Sequence, residues 1–234
     1  MAYLEEFRAQ LGLRNFTKVL QLWQEYCTSD SLDPEEVKDI LSAIKTSECA
    51  RQFGQYVKDF IPLLDLIKDE NAYEDVLKAI FDLQTTNNPE LQNLAVTYLK
   101  KRYGSDPLFN EKLKLVGLRL AGSDFQGSLS NFLLLNHMVK GNFVLHTAGW
   151  GVGEIMDVSF LREQASIEFE HLSGGKKDIS FKSAFKSLLP IEKSYFYARR
   201  FADADALEKD FKEKPVEQLQ KLLKDLGPKT SSEI

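Results

Sequence analysis

Hydrophobic positions in the first half of the chain recur with a period of about 3.6 residues, the repeat of an α-helix. Phe16, Val19, Leu20, Trp23, Tyr26 and Cys27 lie on one stripe and predict a helix with a single apolar face. Asp33-Pro34-Glu35-Glu36 supplies the start signals of the next helix: an N-cap, a proline at the first position and two carboxylates at the positive end of the dipole. Its stripe is Val37, Ile40, Leu41 and Ile44. A longer helix is predicted through Phe53, Tyr56, Val57, Phe60, Ile61 and Leu64, with Pro62 kinking or splitting it. Another stripe is Tyr73, Val76, Leu77, Ile80 and Leu83, with Phe81 beside it. Asn88-Pro89-Glu90 opens a helix carrying Leu91, Leu94, Ala95, Tyr98 and Leu99 and closed at Gly104, and Asp106-Pro107 opens one more, running to about residue 120. This cadence over residues 1–121, with no strand signal, predicts helix pairs stacked as a TPR-like or HEAT-like repeat array. A plain helical bundle fits the same pattern, because no tetratricopeptide or ankyrin consensus is present.

The period then changes. Residues 122–140 read as a turn-rich connector with a short apolar helix containing Phe132, Leu133, Leu134, Leu135 and Met138. From 141 to 192 apolar and polar residues alternate, as in Phe143-Val144-Leu145-His146 and in Ala165, Ile167 and Phe169 against Ser166, Glu168 and Glu170. Gly149, Gly151 and Gly153 fall on one face opposite Trp150, Val152 and Glu154, and Gly174-Gly175 predicts a hairpin turn. Four or five short strands in this span predict a small SH3-like β-barrel, closed by a helical turn through Phe181, Ala184, Phe185 and Leu188. Residues 193–234 read as a helical tail. Its stop signal is Gly227-Pro228, followed by Thr230-Ser231-Ser232-Glu233 with the spacing of a capping box. A capping box calls for a following helix, so residue 234 is expected to be a boundary within a longer chain. The fold class expected is α+β, mainly α.

Composition narrows the function classes. The chain has 234 residues, 43% hydrophobic and 28% charged, enough for a real core. No apolar run approaches the roughly 18 residues of a membrane span, and Met1-Ala-Tyr-Leu-Glu-Glu does not read as a secretory signal. Two cysteines make no disulfide framework, so a cytoplasmic protein is expected. The net charge of -5 argues against wrapping nucleic acid by bulk charge, and residues 141–192 hold five basic and seven acidic side chains. Lys100-Lys101-Arg102 is explained by the negative end of a helix dipole.

No catalytic constellation stands out. Gly149-x-Gly151-x-Gly153 leads into a strand and is not a dinucleotide fingerprint, and no phosphate-binding P-loop occurs. His137, His146 and His171 lack metal-ligand spacing; a His146–His171 pair with Glu168 or Glu170 is the one arrangement left open, against the commoner structural or surface role of barrel histidines. Cys27 lies on the apolar stripe of its helix, which favours a core thiol over a nucleophile. No cofactor, metal or small-molecule substrate is expected.

The run Gly141-Asn142-Phe143-Val144-Leu145-His146, followed by Trp150-Gly151-Val152-Gly153-Glu154-Ile155, resembles the polymerase-interacting barrel of CarD-type regulators and transcription-repair coupling factors. Asn142 stands where those proteins usually have Asp. The whole arrangement, with GNFVLHTAGWGVGEI, IEFEHLSGGKKDISFKSAFKSLLPI and LLKDLGPKTSSEI in sequence, is similar to the N-terminal extension of long bacterial Gre-type transcript cleavage factors. That resemblance implies RNA polymerase as the partner and a tethering role for Gre domains lying further along the chain. The coiled-coil tip motif Gly-Asp-Leu-Ser-Glu-Asn, which carries the family's metal-holding acidic residues, is absent here, so no catalytic residue transfers. The expected contact is Val144, His146, Trp150 and Val152 as an exposed apolar-aromatic patch, rimmed by Arg162, Lys176 and Lys177. Trp150 and Val152 fit a barrel core equally well. The alternative function is a general interaction scaffold whose helical repeats bind a peptide, with the barrel as a passive cap.

Overall fold

A computed structural model describes residues 2–29, 32–119 and 122–227. The chain divides into two compact units, residues 1–133 and 134–234, each taken by itself below.

The first unit is helical. It comprises α1 (Ala2–Gly12), α2 (Phe16–Cys27), α3 (Pro34–Lys45), α4 (Ala50–Phe53), a 3₁₀ helix (Val57–Leu66), α5 (Glu70–Leu83), α6 (Pro89–Tyr103) and α7 (Phe109–Leu115), while α8 (Ser128–His137) spans the division. The stripe of α3 forms as its spacing predicts, with Val37, Ile40, Leu41 and Ile44 all fully buried. Asp33 caps it, accepting the Glu35 N–H at 3.0 Å. Trp23 of α2 anchors the core: its ring meets Phe53 at 5.2 Å and Phe60 at 5.8 Å, and its Nε1–H donates to the Tyr56 carbonyl at 3.0 Å. The long helix expected through Phe53 and Leu64 does not form. In its place stand one α-turn and the 3₁₀ helix that contains Pro62. Proline supplies no N–H and crowds the preceding turn, so the tighter helix replaces an α-helix. Gly54 marks the break, because a Cβ there would lie 2.3 Å from the Leu83 carbonyl oxygen. The helix predicted from Asp106 starts later, at Phe109, and ends at Leu115.

The second unit holds β1 (Phe143–His146), β2 (Gly151–Ser159), β3 (Gln164–Phe169), β4 (Lys176–Ser180), α9 (Phe181–Ser187) and β5 (Leu188–Ile191). The helices α10 (Phe196–Ala202), α11 (Ala204–Glu213) and α12 (Pro215–Leu226) follow. The strands make one antiparallel sheet in the order β4-β3-β2-β1-β5. Gly149 falls in the turn before β2 rather than on the strand face expected for it. Leu188, read in the sequence as part of a closing helical turn, belongs to β5, where Pro190 sits opposite Val144. An edge strand tolerates proline because one side of its backbone has no ladder to complete.

Apolar residues pack on both faces of the sheet. Val144, Ile155, Ala165, Ile167 and Phe169 fill one side. On the other, Phe143, Val152 and Ile191 pack with Ala198 of α10, backed by Leu145, Tyr195, Tyr197 and Phe201. Helix α10 is thus part of the sheet's own core, with α11 and α12 following it. Arg199 joins them, donating to Gln218 Oε1 at 2.6 Å and Asp210 Oδ2 at 2.5 Å. No helix among the described residues is long and apolar enough to cross a membrane. The capping box Thr230–Glu233 lies outside the described residues.

Candidate docking surface

Where β1 ends and β2 begins, three rings stack. The His146 ring lies 4.1 Å from Trp150 with its plane tilted by 14°, and Phe169 meets them edge-on at 5.6 and 5.4 Å. The turn between the strands is tied down by the Thr147 N–H, which donates to the Ser187 carbonyl at 2.8 Å. Gly151 has φ of 75°, in the left-handed region that favours glycine, and a Cβ there would also press on the His171 ring at 2.8 Å. His146 is buried at 8% exposure, and that desolvation holds its pKa below the usual histidine value. Its Nδ1 accepts the Ala148 N–H at 3.2 Å, which requires the neutral ring with its proton on Nε2.

The residues expected to form one exposed patch separate into three environments. Val144 is fully buried inside the sheet and Val152 is 1% exposed beneath α10, on the opposite face, so neither is available to a partner. For Val152 the core alternative is the correct one. His146 is likewise buried rather than exposed, and Trp150 covers it while remaining half-buried. Arg162, Lys176 and Lys177 are exposed and are brought together around a shallow depression shared with Asp157, Ser166 and Asp178. None of these three cations has an ion-pair partner among the described residues. Sequence reasoning missed Leu161, which is 95% exposed at the β2–β3 turn. The available signal was a leucine in a position where turn chemistry favours polar residues.

The histidine–carboxylate arrangement does not assemble. His171 Nε2 lies 3.6 Å from Glu170 Oε2, while Glu170 Oε1 accepts from Arg200 at 2.6 Å and His146 faces Trp150. No group of three or more His, Cys, Asp or Glu side chains able to hold a metal ion occurs among the described residues. Burial pushes the Cys27 thiol up to about 12, which leaves almost no thiolate near neutral pH. The first unit carries a cleft of about 390 Å³ lined by Leu64, Ile67, Tyr73, Leu94 and Tyr98, with Lys68 and Lys101 at its edge. Its wall is fixed by Tyr98, whose O–H donates to Glu74 at 2.7 Å, and by Arg102, which donates to both.

Fold and surface together define a mainly helical α+β protein in which a helical unit precedes a small antiparallel sheet with an exposed cationic depression. Comparison with known proteins places it further. The chain is 46% identical over all 234 residues to the transcription elongation factor GreA of Chlamydia pneumoniae. It is 42% identical over the same length to the transcription elongation factor GreA of Chlamydia trachomatis serovar D. In each case it spans 32% of the relative's length, so the chain is homologous to about a third of these GreA proteins. No family model matches the chain, and no solved structure matches it.

Proposed function

We propose that this chain is a non-catalytic, N-terminal docking region of a cytoplasmic Gre-type transcription elongation factor. It binds RNA polymerase and holds the cleavage-competent domains nearby. The observation that carries this reading is identity of 46% across the full 234 residues to a protein named as an elongation factor. The strand order β4-β3-β2-β1-β5, with a helical turn between β4 and β5, supports reading the sheet as an SH3-like barrel of the CarD type. The helices of the first unit are read as a repeat-like array that acts as a spacer. Tethering converts the second encounter into an intramolecular one and raises the effective concentration of the attached domains, without any chemistry from the tether. Trp150, Arg162, Lys176 and Lys177 are the residues assigned to contact. Direct nucleic-acid binding, a membrane partner and a small-molecule substrate are not part of this reading.

The test is co-precipitation of the 234-residue chain with purified core RNA polymerase, alongside a cleavage assay on stalled elongation complexes. Retention of polymerase without RNA cleavage is the expected result, with weaker retention by Trp150→Ala. If the wild-type chain retains none, the docking reading is wrong. The cleft beside Tyr73 and Tyr98 favours a second reading, a scaffold that binds a peptide through the helical unit. Under that reading Tyr73→Ala weakens partner capture and Trp150→Ala does not.

A further inference from the structure

The turn joining β2 to β3, residues 160–163, is expensive for the fold in two ways. Leu161 leaves 95% of its surface in water. Glu163 adopts φ of 50°, a left-handed conformation that non-glycine residues rarely take. Neither cost is returned by packing of the Leu161 side chain itself. The turn is nonetheless held firmly. Phe160 packs on Phe181 at 5.2 Å, the Phe181 N–H donates to the Glu163 carbonyl at 2.8 Å, and the Arg162 N–H donates to Ser159 Oγ at 3.3 Å. Leucine 161 is therefore presented outward on a fixed support. The residue after it, Arg162, enters the depression that Lys176 and Lys177 line, where Asp157 and Asp178 are the acidic neighbours. Three cations without ion-pair partners gather here in a chain of net charge -5.

We infer that Leu161, with Arg162, Lys176 and Lys177, forms an apolar knob with a cationic shoulder that docks on an acidic protein surface containing an apolar socket. The inference rests on the polymerase reading above and adds to its contact residues, which include Trp150, an apolar anchor at the β2–β3 turn in place of the buried Val144 and Val152. A protein surface is favoured over nucleic acid. Two carboxylates share the depression, a leucine offers no ring for base stacking, and three cations give only a short phosphate track. An exposed leucine beside unpaired cations matches the usual division of an interface into an apolar anchor and a charged rim that steers encounter.

The experiment measures binding of the full chain to purified core RNA polymerase for wild type, Leu161→Ser and the double variant Lys176→Glu/Lys177→Glu. Far-ultraviolet circular dichroism checks folding; all three positions are exposed, so the fold is expected to be unchanged. Leu161→Ser is expected to weaken binding about tenfold or more. The double variant is expected to do the same and to flatten the salt dependence. If wild type binds and Leu161→Ser binds equally well, the knob is wrong and polymerase docking stands. If wild type fails to bind, both readings fall together. A parallel titration uses fluorescent duplex DNA and single-stranded RNA. Saturable nucleic-acid binding that the double variant abolishes assigns the cations to phosphate and overturns the inference.

Discussion

Gly153 shows how little room the sheet leaves at its centre. A Cβ at this position would lie 2.6 Å from Ile167 Cγ2 and from the Phe169 ring. Gly153→Ala is therefore expected to destabilise the second unit by about 1–3 kcal/mol, read as a lower urea midpoint. His146, opposite Gly151 in the register, gives a pH dependence with a definite sign. Burial depresses its folded pKa below the ordinary 6.5, so the unfolded chain takes up the proton first. Stability is fully present above about pH 6.5 and declines as pH falls from there towards the folded pKa. His146→Phe, which keeps a ring against Trp150, is expected to lose less melting temperature than wild type between pH 7.5 and 5.5; an equal loss contradicts the assignment. At this scale the sequence was legible only in part. The alternation of Val144 and Val152 marks them as strand residues, but alternation within a strand does not say which face looks where. The register pairs Val144 with Gly153 and Leu145 with Val152, which sends the two valines to opposite sides.

Helices with capping signals were the readable elements. Asp33-Pro34 and Asn88-Pro89 open α3 and α6 as their residue types require, with Asn88 accepting the Glu90 N–H at 2.8 Å. Two segments misled for physical reasons. The stripe from Phe53 to Leu64 has helical spacing, but Pro62 and the close approach of Gly54 to Leu83 leave a one-turn helix and a 3₁₀ helix. Strand β5 has only four residues and contains Pro190, so it carries no alternation long enough to recognise. The three terminal helices depend on Arg199, which links α10 to α11 and α12 through Asp210 and the buried Gln218. Arg199→Ala leaves the Gln218 amide without this partner and is expected to cost about 1–3 kcal/mol. Limited proteolysis should show faster cleavage in α11 and α12, and an unchanged cleavage rate would contradict the linkage.

For the whole molecule, the change from helical to strand periodicity near residue 141 was visible in the sequence, and the structure places the five strands after that point. The packing of α10 on the sheet was not visible, because it joins Ala198 to Phe143 and Val152 across some fifty residues with no local pattern. It has a practical consequence: a fragment ending near residue 192 would uncover Phe143, Val152 and Ile191, so binding belongs to the intact chain. Docking on polymerase rests on similarity across all 234 residues to about a third of two elongation factors named GreA, and on a surface of the second unit that the fold does not consume. Its most direct test is an equilibrium titration of the 234-residue chain against core RNA polymerase at moderate salt. Saturable one-to-one binding that weakens as salt rises is expected. No saturable binding at polymerase concentrations up to tens of micromolar would contradict it.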